Sequence, residues 1–416
     1  MAGPSLGIMA WRNLWRRRRR TLITISSIAF GTFLAVIFTA FQDRNFADMI
    51  DLAARMTGGH VTLQHPAYQD TPTLSRSVRD TGRLTSLALE DEEVERVVTR
   101  IMGFTLLSTA SANYGAGFIA FDPESEDEET LSIIEGMEEG AIFESSRDRG
   151  IILGQRLARN LGAEMGKKVV YTMTDKHGEI VSGLGRVSGI VRTGAPSLDA
   201  GLCLLPIDSL REVLGYAPDE ALQVAAFIDD QRKSGEVAGR LKGRVDPQQV
   251  TAMTWDQIQP DLAGFIAMKV GGAIFMEVLI AIIISAGIFN TLFVSVMERL
   301  REFGIMMAIG FSPGSLFRLV MLESLWLGLV GLAAGAALTV GPYLYLTKTG
   351  LDMSAMIGGE GAEVAGVAVS PIMRVGIFPE HAVLIAVAVF IATMLSGLYP
   401  AWRAGRVVPV ETIKLV

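Results

Sequence analysis

Residues 21–41 run for 21 positions without a charge, and the five residues before them, Arg16 to Arg20, are all arginine. At about 1.5 Å of rise per helical residue, such a run crosses the roughly 30 Å hydrocarbon core of a bilayer. A short flank this rich in arginine stays on the cytoplasmic side, which places the N-terminus inside. A cleaved export signal has a shorter apolar core and a small-residue cleavage site. Here Phe41 is followed by Gln42, Asp43, Arg44 and Asn45, so the segment is expected to remain as an anchor.

Three more apolar stretches of spanning length lie in the last third of the chain, and nothing comparable occurs between Gln42 and Lys269. The pattern predicts an α-helical membrane protein with four transmembrane helices, residues 21–42, 271–297, 319–345 and 382–402. A large outer α+β domain of two lobes, 43–270, is inserted between helices 1 and 2. An amphipathic elbow fills 1–20, inner segments fill 298–318 and 403–416, and an outer loop fills 346–381. Charge agrees with this layout. Residues 1–42 hold six arginines and no acid, whereas 43–270 hold 23 basic and 35 acidic side chains. The tail adds Arg403, Arg406 and Lys414 against Glu411, so the segments expected inside are basic. Flush against a span, the arginine block reads as a topology and lipid-headgroup signal rather than a nucleic-acid patch.

Within 43–270, β-branched and aromatic runs predict strands in Gly59 to Tyr68, Glu95 to Phe121, Ile151 to Gly154, Val169 to Met173, Val187 to Val191, Cys203 to Leu205 and Val224 to Asp229. Helices are expected over Gln155 to Leu161, capped by Gly162, and around Gly235 to Leu241. The lone Cys203 makes no internal disulfide and reads as a small buried residue. Gly162 to Lys168 resembles a phosphate loop but has the wrong glycine spacing and no hydroxyl after the lysine. The acidic run Asp122 to Glu129 reads as a solvated loop. His60, His65, His177 and His381 are scattered and fall in no carboxylate or cysteine motif, so no catalytic or metal constellation is expected.

Small residues four apart mark contact faces in spans: Ser27, Gly31 and Ala35; Gly331, Gly335 and Thr339; Ala388, Ala392 and Ser396. Glu277 and Glu323 lie inside spans two and three; an intramembrane carboxylate is by default a functional candidate, and the plainer expectation for each is to pair within the bundle or reach an interface. The segment between those spans is helical to Ile309, stops at Gly310, and restarts with Ser312 as N-cap and Pro313 at the first helical position. A bare linker needs no such caps; a docking element does.

Those residues also resemble a known family. Val296-Met297-Glu298-Arg299-Leu300-Arg301-Glu302-Phe303-Gly304-Ile305-Met306-Met307-Ala308-Ile309-Gly310-Phe311-Ser312 is similar to the inner loop of the FtsX-like permeases of ABC transporters. Gly397-Leu398-Tyr399-Pro400-Ala401-Trp402-Arg403-Ala404, with Pro409-Val410-Glu411, resembles their C-terminal signature, and Ala10-Trp11-Arg12-Asn13-Leu14 their start. Ile152 to Ala158 with Gly162 and Gly166, and Gly189 to Gly194, resemble the MacB-like periplasmic core domain.

The resemblance implies a multi-pass permease of the bacterial inner membrane, with both termini cytoplasmic and the large domain periplasmic. It has no ATPase motif and is not itself an enzyme. Glu302, Ile305, Ala308, Ile309, Gly310, Phe311, Ser312 and Pro313 would couple it to a separate cytoplasmic ABC ATPase dimer. ATP and Mg would sit on that partner, with no cofactor on this chain. A second permease, of the same or a homologous sequence, would pair through the spans, and the dimer would act as a mechanical lever.

Efflux permeases of MacB type carry their ATPase ahead of the first span, where this chain has about 20 residues. Lipoprotein-releasing permeases of the LolC/LolE type have this length and start, and Arg192 to Asp199 resembles their run. That branch implies extraction of lipoproteins from the inner membrane for a periplasmic carrier, with acyl chains held between spans by Phe33, Ile37, Phe41, Phe275 and Leu279. The alternatives are an FtsX-like regulator of a periplasmic hydrolase and MacB-like efflux of small molecules or peptides. The outer loop from Leu351 to Met373, with Gly358-Gly359-Glu360-Gly361, reads as mobile.

Overall fold

The computed structural model describes residues 6–354, 362–364 and 367–406. The expected Gly358 to Gly361 run and Pro409-Val410-Glu411 lie outside them. The chain divides into two compact units, one of residues 1–45, 267–351 and 373–416, the other of 46–266 and 352–372.

Helix α1 (Leu6–Arg16) buries Ala10 and Leu14. Helix α2 (Arg18–Met56) runs unbroken for 39 residues, about 58 Å, well beyond the apolar run read from the sequence. The charges from Asp43 onward do not end the helix, although they end the uncharged run. They occupy one face only, while Phe46, Met49, Ala53 and Met56 continue an apolar stripe at helical spacing.

The second unit is built on strands β1 (Val61–Gln64), β2 (Val94–Ser108), β3 (Asn113–Phe121), β4 (Met137–Gly140), β5 (Gly150–Gly154), β6 (Lys168–Thr174), β7 (Ile180–Val191), β8 (Leu202–Pro206), β9 (Gln223–Ile228) and β10 (Thr251–Thr254). Its helices are α3 (Thr81–Leu89), α4 (Gln155–Leu161), α5 (Pro196–Gly201), α6 (Ile207–Leu214), α7 (Ser234–Lys242) and α8 (Trp255–Ile258). The strands hydrogen-bond in the order β10-β1-β9-β2-β3-β8-β5-β7-β4, with β6 joining β2 to β7. Pairing is antiparallel except for β3 with β8 and β5 with β7. Strands β5, β8 and β9 are buried at every position, which is why they read as continuous apolar runs rather than alternating ones. Gly162 closes α4 in the left-handed region at φ 63°, so the loop that mimics a phosphate site is a helix cap.

The long strand β2 serves two cores. Its first half, Val94 to Arg100, pairs with β9, beside a core of Val61, Leu63, Val224 and Val237. Its second half, Ile101 to Ser108, pairs with β3, beside a core of Phe118, Ile151, Leu157 and Leu205. Cys203 is fully buried in that second core, and burial pushes its thiol pKa upward.

One part of the acidic run departs from its solvated reading. Glu126 is buried against Arg100, itself fully buried, with Nε to Oε1 at 2.6 Å and Nη2 to Oε2 at 2.8 Å. Arg100 also donates to the carbonyls of Thr130 at 2.6 Å, Arg55 at 3.1 Å and Thr57. All five guanidinium donors are thus used, two of them on the carbonyls that end α2.

A segment assigned to the outer loop also belongs to this unit. Strands β11 (Ala362–Val364) and β12 (Val367–Val369) form a hairpin, Val367 packs among Met49, Ala53 and Leu262, and Glu363 accepts from the Ser197 backbone N–H at 3.1 Å.

His60 is buried, and its Nδ1 accepts the Ile228 N–H at 3.2 Å, so the ring is neutral with its proton on Nε2. Burial first, and Arg55 second, lower its pKa against the opposing pull of Asp51. The unfolded chain therefore takes up a proton more readily below about pH 6.5, and stability present above that pH falls on acidification toward the depressed native value. We expect thermal melts between pH 7 and pH 5 to show this loss. His60→Asn, which keeps an acceptor for Ile228, should flatten the slope; an unchanged slope would rule His60 out.

Four helices are long and apolar enough to cross a membrane among the described residues: α2, α9 (Pro260–Glu298), α11 (Pro313–Thr349) and α12 (Pro379–Gly405). Between α9 and α11 stands the short α10 (Leu300–Ala308). Of the expected stripes, Gly31, Gly331, Gly335 and Ser396 stand at contacts, whereas Ser27 and Ala388 are exposed. A Cβ added at Gly331 would stand 2.6 Å from Ile28 Cγ2, and one at Gly335 2.8 Å from Thr32 Cβ. Gly397 abuts Ser324, and Ser396 Oγ donates to the Ser285 carbonyl at 3.1 Å. Gly331→Val should cost about 1–3 kcal/mol through overpacking. Melting of the purified chain in nanodiscs should show it, with Ile28→Ala in the same chain restoring most of the loss.

Candidate functional site

The hairpin formed by α10 and the start of α11 is fixed from below by apolar packing. Phe303 is fully buried with Val296, Leu316, Val320, Ala401 and Ala404, so α10 lies on α11 and on the last turns of α12. Gly310 turns the chain at φ +105°, a backbone region costly for any residue with a Cβ. Ser312 then caps α11, its Oγ accepting the Ser315 N–H at 3.2 Å, and Pro313 takes the first turn. Gly405 leaves room for the Pro313 carbonyl, where a Cβ would stand at 3.0 Å. Here the C-terminal signature acquires a physical role: its small residues let α12 seat the hairpin.

With Phe303 turned in, the opposite face is turned out. Ile305 is 49% and Ile309 72% exposed, beside exposed Ala308, Gly310, Ser312 and Pro313, while Phe311 is half-buried. The structure thus gathers seven of the eight expected coupling residues around one capped turn.

Glu302 is the exception, since it points to the arginines. It accepts from Arg16 at 3.1 Å and from Arg299 at 3.3 Å. Arg299 is buried and spans the Glu323 carboxylate, with Nη1 at 3.0 Å from both oxygens, and Asn13 Nδ2 donates to the same group at 2.9 Å. Glu298 takes Arg20 at 3.0 Å and Arg17. Glu323 therefore pairs within the bundle, as one of the two expected readings had it. The network joins α1, the start of α2, the hairpin and α11. Sequence reasoning missed Asn13 and Arg299 because their partners lie 310 and 24 positions away.

At the other end of the same unit, Asp43 is buried and paired with His381, whose Nδ1 lies 2.9 and 2.8 Å from its two oxygens. Phe378 N–H donates to Asp43 at 3.1 Å. The histidines fall in no sequence motif, as expected, and this pair escaped that reading because its partners lie 338 positions apart.

The helices α2, α9 and α12 form a partly open cavity of about 130 Å³ lined by Gly31, Leu34, Phe38, Ile280, Ile284 and Ala388 among others, with Glu277 half-buried at its wall and Leu34 and Phe38 exposed at its mouth. Thr39 Oγ1 donates to Glu277 at 2.9 Å. None of the five residues expected to hold acyl chains lines this cavity. Phe33, Ile37 and Phe41 are half-buried on a neighbouring face of α2, and Phe275 and Leu279 are exposed on α9.

Comparison with known proteins covers nearly the whole chain. Residues 274–409 match the FtsX-like permease C-terminal family, and residues 21–254 match the MacB-like periplasmic core domain. The chain is 23% identical over 367 residues to the lipoprotein-releasing system transmembrane protein LolC of Xylella fastidiosa, covering 85% of each. It is 32% identical over 144 residues to the ABC transporter permease YtrF of Bacillus subtilis, covering 34% of this chain and 31% of that one. Against the pyoverdine export ATP-binding/permease protein PvdT of Pseudomonas putida it is 23% identical over 431 residues, spanning 97% of itself and 58% of that protein. Among solved structures, the periplasmic region of MacB from Actinobacillus actinomycetemcomitans aligns with 49% of the chain and 92% of its own, at 12% identity and a TM-score of 0.35.

Proposed function

The chain belongs to the family that joins a MacB-like periplasmic core domain to an FtsX-like permease C-terminal region, and from that premise we propose that it is the membrane subunit of an ATP-driven transporter. In this reading four helices span the inner membrane with both termini inside. The α+β unit stands in the periplasm as two lobes sharing β2. A separate ABC ATPase dimer, carrying ATP and Mg, docks on Ile305, Ala308, Ile309, Gly310, Phe311, Ser312 and Pro313, while Glu302 ties that surface to the N-terminal arginines. The carrying observation is the capped hairpin, whose outward face is apolar in a segment flanked by charge. Apolar side chains exposed together beside an anchored core mark a docking surface.

The cargo we assign is lipoprotein, drawn from the inner membrane and passed to a periplasmic carrier, supported by the likeness to LolC over 85% of each chain. Phe33, Ile37, Phe41, Phe275 and Leu279 then belong to a face shared with a second permease rather than to the cavity inside one bundle. Mass spectrometry of what co-purifies from the native membrane tests this. An ATPase with an acylated lipoprotein or its carrier is expected. An ATPase with a peptidoglycan hydrolase, or with an adaptor and outer-membrane channel, would overturn the cargo assignment and leave the docking reading standing.

A further inference from the structure

The cavity between α2, α9 and α12 differs from an ordinary packing gap in one respect. Its walls are mostly aliphatic or aromatic, drawn from Leu34, Phe38, Ile280, Ile284 and their neighbours, with Ser285 the other polar side chain, yet Glu277 stands in that lining. A carboxylate offers about four acceptor positions. Among the described residues, the hydrogen bond recorded for Glu277 is the one from Thr39 Oγ1, and no basic side chain pairs with it. Its counterpart Glu323, by contrast, takes three hydrogen bonds, from Arg299 and Asn13, and is ion-paired with Arg299. Glu277 is half-buried, and a carboxylate on a membrane-spanning helix is costly unless something meets it.

We propose that this cavity binds a primary alkylammonium, its hydrocarbon tail among the aliphatic walls and its N–H donors on Glu277. The chemistry follows from the two halves of the site. The cavity offers about 130 Å³ of largely apolar space and is open on one side, so a short stretch of alkyl chain fits within it while the rest of a longer chain extends out along exposed Leu34 and Phe38. An ammonium brings three donors and no acceptor, the complement of a carboxylate with acceptor positions to spare. An alcohol of the same chain length supplies one donor and no charge, and a fatty acid supplies the wrong charge. The inference rests on the cavity alone and holds whether or not the cargo is lipoprotein. The amine could be carried by a bilayer lipid with an aminoethyl headgroup or by a free amphiphile.

The test uses the full chain in phosphatidylcholine nanodiscs, titrated with dodecylamine, dodecanol and dodecanoate while melting is followed. Dodecylamine should raise the melting temperature more than dodecanol, and dodecanoate should do nothing. Glu277→Gln preserves shape and removes charge, and should weaken the dodecylamine response by about tenfold, the loss expected of one charge-assisted hydrogen bond. Thr39→Val, which leaves the carboxylate in place, should keep the preference for amine over alcohol. Repeating the titration with phosphatidylethanolamine in the disc separates the sources. Competition assigns the site to the headgroup lipid, and its absence assigns the site to a free amphiphile. Equal responses to amine and alcohol, or an amine response untouched by Glu277→Gln, would overturn the proposal. Should Glu277→Gln fail to fold, loss of the amine preference on replacing Ala388 with Phe, which fills the cavity, decides in its stead.

Discussion

Arg100→Met is expected to lower the stability of the chain by about 3–5 kcal/mol, the cost of leaving a buried charge without its partner. Glu126 has no exposure through which to recruit water, and Met supplies none of the five donors that Arg100 directs at Glu126, Thr130, Arg55 and Thr57. Replacing both members, Arg100→Met with Glu126→Leu, removes the stranded carboxylate and should recover much of the loss. Recovery stays incomplete because the carbonyls at the end of α2 still lack donors, worth about 1–3 kcal/mol when buried. Melting and pulse proteolysis of single and double variants in nanodiscs separate these contributions. A single variant within about 1 kcal/mol of the parent chain would mean the pair is relaxed or hydrated in solution.

The second large effect is on assembly. Ile305→Asp together with Ile309→Asp should abolish co-purification of the ATPase while leaving melting nearly unchanged, because both side chains already face outward. Burying an isoleucine at an interface contributes about 1.5–3 kcal/mol, so losing two weakens the complex by on the order of a hundredfold or more. Phe303→Ala makes the contrast. That side chain is fully buried beneath the hairpin, and its removal should lower stability as well as assembly. Normal ATPase association and turnover with both aspartates in place would remove the hairpin from the docking surface.

What could be read from the sequence was local. The spans declared themselves by length and hydropathy, β5, β8 and β9 by continuous apolar runs, and the hairpin by Gly310, Ser312 and Pro313, whose chemistry acts within three residues of where they stand. What could not be read was paired at a distance. Asp43 with His381, Asn13 with Glu323 and Arg100 with Glu126 each meet only after the chain has folded back. The continuation of α2 to Met56 stood between these cases. Its apolar stripe was present at helical spacing, but the charges on the other face concealed it. The hairpin of β11 and β12 gave no local signal of which unit it would join, since Val367 finds its place among Met49, Ala53 and Leu262.

Cys203 leaves the chain with a reporter already installed. A thiol reacts as its thiolate, and this one is sealed in a core that disfavours ionisation, so alkylating reagents have no route to it while the fold holds. Labelling therefore counts unfolding events. A maleimide added to the purified protein would read the opening of the β3–β8 core, with no engineered probe and no second thiol in this sequence to confuse the signal.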